Sequence, residues 1–158
     1  MKRALASDLP CLLEMMAEFY AESGYALNRT QAEAGFLALF VDERLGGVWM
    51  AESGGKPAGY IVLTLCFSME YAGVAGFVDD LYVRAAYRRG GVGAVLLQCA
   101  SEQARARGVR ALFVEVSPDN APAQRVYRRF GFRETDRQLL ALPLAAPSHH
   151  EAVCKPQV

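Results

Sequence analysis

The chain has 158 residues, 53% hydrophobic and 22% charged, which suits one globular domain with a buried core and excludes a disordered chain. Its 17 basic and 17 acidic residues give zero formal net charge, without the basic stripe of a nucleic-acid-binding surface. The longest apolar run, residues 60–67, is too short to span a bilayer, and Asp8 and Pro10 interrupt any signal-peptide core. We therefore expect a cytoplasmic protein with no nucleic-acid or membrane partner.

Two helices are predicted near the start of the chain, after a short strand at residues 3–5. Asp8 is the expected N-cap of the first helix, and Gly24 is expected to end it. Thr30 and Glu33 have the spacing of a capping box, which predicts the start of the second helix.

A hairpin is predicted next, with strands at residues 48–52 and 56–67 joined by a glycine-containing turn. The second strand is apolar throughout, as expected of a central strand that is covered on both faces. A loop over residues 68–76 and a strand over 77–83 follow.

Two acids interrupt the strand at residues 77–83. Regular alternation places Asp79 on the face of Leu81 and Val83 and opposite Asp80, unless a β-bulge inverts the assignment.

The second half of the chain alternates helices and strands. The predicted elements are a helix at about residues 91–107, a strand at 112–116, a helix capped by Asn120 and ended by Gly131, and strands at 132–135 and 138–144. Because a helix separates them, the strands at 77–83 and 112–116 are expected to be parallel. The last two strands are expected to complete the sheet as an antiparallel pair.

The final residues have a different composition from the rest. One domain is predicted over residues 1–144, and 145–158 form a tail rich in Pro, Ala, Ser and His without periodicity. The adjacent His149 and His150 cannot both face one ion from a regular element, so we predict no metal site.

A glycine-rich turn is the clearest functional signal. Residues 88–93 read Arg-Arg-Gly-Gly-Val-Gly and connect a predicted strand to a predicted helix. Such a turn presents free N–H groups at the positive end of a helix dipole, which suits a phosphate or pyrophosphate. The Lys-Ser/Thr pair of a Walker A loop is missing, and Leu96 stands where the dinucleotide fingerprint requires its third glycine.

Two motifs resemble the cofactor motifs of the GNAT N-acetyltransferase superfamily. They are Arg88-x-x-Gly91-x-Gly93 and Asn120-x-x-Ala123-x-x-x-Tyr127-x-x-x-Gly131-Phe132. Arg89-Gly90 stands where many relatives have glycine followed by a basic residue. The resemblance is sharp over residues 77–132 and extends in layout over about 2–143. It implies an α/β fold with a mixed, mostly antiparallel sheet, one splayed parallel strand pair and flanking helices.

The resemblance also implies a reaction, the direct transfer of an acetyl group from acetyl-CoA to a primary amine. A small-molecule amine is the expected acceptor; the alternatives are a protein or peptide acceptor and a non-catalytic acyl-CoA-binding module. Either a monomer or a homodimer is compatible with the sequence. The residues expected to bind acetyl-CoA are Leu81, Tyr82, Val83, Arg88, Arg89, Gly90, Gly91, Val92, Gly93, Ala94, Asn120, Ala123 and Tyr127.

The same resemblance assigns catalytic roles. In relatives the tyrosine matching Tyr127 protonates the CoA sulfur, and a phenol that stays protonated at neutral pH suits that role. The Val83 N–H is the implied oxyanion donor. Asp79 matches an acid of diamine acetyltransferase-like members, and Glu115 matches an acid of ribosomal-protein N-terminal acetyltransferases, so either is a candidate general base.

Two surfaces are candidates for the acceptor wall. Glu14, Glu18 and Glu22 recur at i, i+4 and i+8 on the first predicted helix, which could attract a polyamine or simply be a solvated face. The loop at residues 68–76 is the other candidate.

Overall fold

A five-stranded sheet with helices on both faces forms the protein in the computed structural model, which describes residues 1–142 and 144. The strands are β1 (Lys2–Arg3), β2 (Gly46–Ser53), β3 (Lys56–Ser68), β4 (Gly73–Val83) and β5 (Ala111–Val114). The helices are α1 (Leu9–Glu22), α2 (Arg29–Val41), α3 (Val92–Ala106) and α4 (Ala121–Phe130), with short 3-10 turns at Ala6–Asp8 and Ala85–Tyr87. Neighbouring strands are antiparallel except β4 and β5, which are parallel. This architecture confirms the predicted fold class.

Alternation along β3 divides the core into two layers. Tyr60 and Val62 pack with α1 and α2 on one face, whereas Ile61 and Leu63 pack with α3 and α4 on the other. Burying a side chain of this size contributes about 1.5–3 kcal/mol. The largely apolar run in β3 therefore follows from its central position, as predicted. No helix within the described residues has the length and apolarity needed to cross a membrane.

The helix starts differ from the sequence expectations. The Asn28 side chain caps α2 by accepting from the Gln31 N–H at 3.1 Å, so the predicted capping box of Thr30 and Glu33 is wrong. Asn28 satisfies one of the free N–H groups of the first turn, and both residues of the proposed box then lie inside the helix. Asp8 does lie at the N-cap position of α1, but its carboxylate accepts from the Leu5 N–H instead.

The predicted loop at residues 68–76 is too long, because β3 extends to Ser68 and β4 already begins at Gly73. Gly73 and Gly76 lie within β4, where the absence of a side chain allows neighbouring residues to pack closely. A Cβ on Gly73 would lie 2.8 Å from the Arg110 Nε, and one on Gly76 would lie 2.9 Å from a Leu112 methyl group.

The predicted strand pair at residues 132–135 and 138–144 is wrong, since no strand follows β5 among the described residues. Phe132 instead packs edge-on against Tyr127, with ring centroids 5.7 Å apart. The later segment lacks strict period-two alternation, which a half-buried strand requires. The predicted tail at residues 145–158, with His149 and His150, lies outside the described residues.

Candidate active site

The parallel strand pair opens beyond Val78. Pairing between β4 and β5 ends at Val78 and Val114, whereas β4 continues to Val83 alongside β3. Arg84 donates its N–H to the carbonyl of Ala58, at 2.9 Å, on the β3 side. Alternation along an antiparallel ladder therefore turns the N–H groups at positions 81 and 83 toward the other edge. Among the described residues no strand pairs with that edge beyond Val78, so it can add the amides of an extended ligand.

The glycine-rich turn forms the N-terminus of α3. Arg89 and Gly91 both have left-handed backbone conformations, with φ of 65° and 82°. The N–H of Val95 donates to the Gly91 carbonyl at 3.1 Å, so the N–H groups of residues 92–94 have no partner within the helix. A Cβ on Gly91 would meet no atom within 4 Å. The turn is therefore an open cradle with three donors at the positive end of a helix, and it can hold a phosphate.

The Arg88 side chain is engaged with the protein rather than with this cradle. Its Nε donates to the Val83 carbonyl at 2.8 Å, and its Nη2 donates to the Glu22 carboxylate. Its guanidinium also lies over the Tyr82 ring, 5.7 Å from the centroid. Arg88 therefore joins the turn to the end of α1. The Tyr82 ring faces α1 and its hydroxyl bonds Glu18 and Glu22, away from the open edge of β4.

A β-bulge brings two aspartates to one cavity. Val62 pairs with Asp80 and Leu63 pairs with Val78, so Asp79 is an extra residue in β4. Both aspartates line a cavity of about 460 Å³ between the sheet, α1 and α2. Regular alternation would have placed Asp79 with Leu81, so that expectation is wrong and the bulge is the reason. Asp80 was not among the predicted site residues; its only signal in the sequence is that it is a second acid inside an apolar strand.

Asp80 is the more deeply placed of the two acids. Its Oδ2 accepts from the hydroxyl of the fully buried Tyr60 at 3.0 Å. Burial raises the pKa of Asp80 to about 6; the Tyr60 hydrogen bond lowers it and the charge of Asp79 raises it further. Burial also raises the pKa of Asp79, whose side chain is more exposed. Asp80 is thus ionised at neutral pH but is a stronger base than an ordinary aspartate.

Tyr127 lies on α4, on the opposite side of the sheet from the cavity. Asn120 caps this helix by accepting from the Ala123 N–H at 3.1 Å, and Ala123 packs in the same core layer as Tyr127. Burial raises the pKa of Tyr127 to about 12, and the negative charge of Asp80 adds to the shift. The phenol therefore stays protonated at neutral pH and can donate its proton.

The remaining acids that sequence analysis singled out lie elsewhere. Glu115 is exposed just beyond β5 and is not among the residues that line the cavity. Glu18 binds the Arg84 guanidinium at 2.8 Å, and Glu22 binds Arg88. Glu14 lies 3.9 Å from the same Arg84 group. The line of glutamates is thus paired with arginines of the protein itself rather than being a free anionic wall.

The loop that was the other candidate acceptor wall also lies outside the cavity. None of the residues between β3 and β4 lines it, and Glu70 in that loop pairs with Arg137 at 2.6 Å. The described residues contain no cluster of side chains that could hold a metal ion.

Comparison with known proteins identifies the family. The family model described as "Acetyltransferase (GNAT) family" matches residues 12–132, which is most of the chain. The chain therefore belongs to the GNAT acetyltransferase family, and this membership confirms the resemblance found in its two motifs.

Individual proteins are similar to this chain over different parts of its length. An integron cassette protein from the mobile metagenome of Cole Harbour Salt Marsh is 44% identical and has a TM-score of 0.84, over 94% of this chain and 92% of that one. The streptothricin acetyltransferase of Streptomyces lavendulae is 44% identical over 55 residues, which are 35% of this chain and 29% of that protein. The aminoglycoside N-acetyltransferase AAC(6')-Iy, solved with CoA, shares the fold, with 17% identity and a TM-score of 0.75 over 91% and 93% of the two chains. The chain spans 20–40% of the length of the curated relatives that it matches.

Proposed function

We propose that this protein transfers the acetyl group of acetyl-CoA to a primary amine of a small molecule. The observation that carries the proposal is the open edge of β4, which joins a phosphate cradle at one end to a carboxylate-containing cavity at the other. Two of the relatives are named for acting on streptothricin and on aminoglycosides, which supports a small-molecule acceptor.

The residues present fit acetyl-CoA. The open N–H group of Val83 suits an amide of an extended pantetheine arm, and the N–H groups of residues 92–94 suit a pyrophosphate. When bound, acetyl-CoA supplies an activated acetyl thioester. Gly90 and Gly91 have no side chains, so they leave the space beside the N–H groups of the turn free for a ligand. Asn120 and Ala123 act indirectly, by fixing the start of the helix that carries Tyr127.

The proposed proton path begins at the aspartates. An alkylammonium group has a pKa of about 10, so the amine must lose a proton before it can attack. We assign that task to Asp80 with Asp79 beside it, because both line the cavity and Asp80 has a raised pKa of about 6. Glu115 is the weaker candidate, since it lies outside the cavity.

Two further groups are proposed to act on the acetyl thioester. The Leu81 N–H is the proposed donor to the acetyl oxygen, on which negative charge develops, in place of the Val83 N–H that the resemblance implied. The cradle lies beyond Val83, so Leu81 is the open N–H group nearer the aspartates. Tyr127 is the proposed acid for the departing thiolate, because its raised pKa keeps the phenol protonated.

A thiol-release assay with acetyl-CoA and a panel of amines tests this proposal. Release that depends on an amine, together with mass-spectrometric detection of the acetylated amine, is the expected result. CoA binding by calorimetry without transfer to any amine would favour the non-catalytic binding module. No binding at millimolar CoA would reject the proposal as a whole.

A further inference from the structure

The cavity beside the two aspartates has a composition that selects a type of amine. We infer that the acceptor is a primary amine carried on an extended apolar body, such as a long alkylamine or an arylalkylamine, rather than a polyamine. This inference rests on the proposed function, because it concerns the acceptor side of the same site.

The shape and lining of the cavity suit an apolar ligand. Its volume of about 460 Å³ lies within the range of small-molecule pockets. Side chains from α1, α2 and the sheet give it largely apolar walls, chiefly Met16, Leu27, Phe36, Leu39, Val62 and Leu65. Asn28, Gln31 and Thr64 add uncharged polar groups. Such a cavity binds an apolar body and excludes water from it.

The charged side chains of the cavity lie at one wall. Among the described residues that line the cavity, Asp79 and Asp80 are the only charged ones, and they are adjacent in the sequence. An ammonium group can therefore be neutralised only at that wall of the cavity. A second cationic group farther along the ligand would lie among apolar and uncharged polar side chains, where it would find no carboxylate and its charge would be unfavourable.

The obvious alternative site for a polyamine is already occupied. Glu18 and Glu22 are bonded to Arg84 and Arg88, and they also accept from the Tyr82 hydroxyl. A polyamine would have to displace two guanidinium groups that the protein itself holds there. The acidic face of α1 therefore does not favour polycations.

Chain length of the acceptor is the first measured variable. For wild-type protein with a series from ethylamine to octylamine, we expect kcat/KM to rise about three- to fourfold for each methylene until the cavity is filled. Phenethylamine is expected to be a good acceptor, and spermidine and ethanolamine poor ones. Equal kcat/KM along the alkylamine series, or spermidine as the best acceptor, would overturn the inference.

A substitution at the cavity wall is the second variable. Gly35 on α2 lines the cavity, and a Cβ there would meet no atom within 4 Å, so the substitution Gly35→Leu can begin at this wall without a clash at Cβ and adds bulk there. Its neighbour Ala34 is exposed and does not line the cavity, which makes Ala34→Leu the matched control.

We expect Gly35→Leu to lower kcat/KM for octylamine at least tenfold and for ethylamine much less, while Ala34→Leu changes neither. An equal loss for both amines, or the same loss in the control, would overturn the inference. Acetylation of short amines without any dependence on chain length would reject this inference alone. Failure to acetylate every amine, despite a folded protein by circular dichroism, would reject the proposed function as well.

Discussion

Replacing Asp80 by Asn should make the protein more stable at neutral pH and less active. Asn keeps the shape of the side chain and an oxygen that can accept from the Tyr60 hydroxyl, but it removes the negative charge. Burial disfavours that charge in the folded state, which is why the pKa of Asp80 is raised. Stability and activity should therefore change in opposite directions.

The size of the effect follows from the pKa shift. A rise from 3.8 to about 6 is roughly two pH units, or about 3 kcal/mol of unfolding free energy at 1.36 kcal/mol per unit. Below pH 4 the carboxyl group is protonated in both the folded and the unfolded state, so it does not change the unfolding free energy. Between pH 4 and 6 the folded protein keeps a proton that the unfolded chain loses, so stability falls as pH rises. Above pH 6 the group is ionised in both states, and the buried charge lowers the unfolding free energy by the full amount.

Chemical denaturation of both proteins from pH 4 to pH 7 measures this difference. We expect the stability gain of Asp80→Asn to be near zero at pH 4 and to reach about 3 kcal/mol at pH 7. Asp79→Asn is the control, because the same change at a more exposed side chain should give a smaller gain. A pH-independent difference, or a variant less stable than wild type at pH 7, would refute the reasoning.

Three further predictions concern Tyr127, cofactor binding and the acids of α1. Tyr127→Phe should lower turnover by about 10² while leaving CoA affinity by calorimetry within about twofold; unchanged turnover would remove Tyr127 from the proton path. Saturating CoA should raise the melting temperature by mass action, and Gly91→Val should abolish that rise, because a β-branched residue disfavours φ of 82°. The double variant Glu18→Gln and Glu22→Gln should lower the melting temperature slightly through lost ion pairs and leave the acceptor KM unchanged; a raised KM for spermidine would show that these acids contact the acceptor.

Much of the fold could be predicted because its signals are local. The apolar run of β3, the glycine-rich turn before α3 and the Asn120 cap each depend on residues close together in the sequence. The parallel pairing of β4 and β5 then follows from the intervening helix.

The parts that could not be predicted depend on contacts between distant residues or on one extra residue. The bulge at Asp79 changes no hydrophobic pattern, yet it brings both aspartates to one cavity. Glu18 and Glu22 meet arginines more than 60 positions away, so their pairing was invisible in the helix pattern. The strands predicted after Gly131 failed because no alternation distinguishes that segment.

The most direct test of the account follows the acetyl group itself. Acetyl-CoA labelled in its acetyl group is incubated with wild-type protein and phenethylamine, and thiol release and labelled product are measured together. The account predicts one labelled N-acetyl amine for each thiol released, with both signals lowered together in Asp80→Asn and Tyr127→Phe. Thiol release without a labelled amine, or undiminished transfer in both variants, would contradict it.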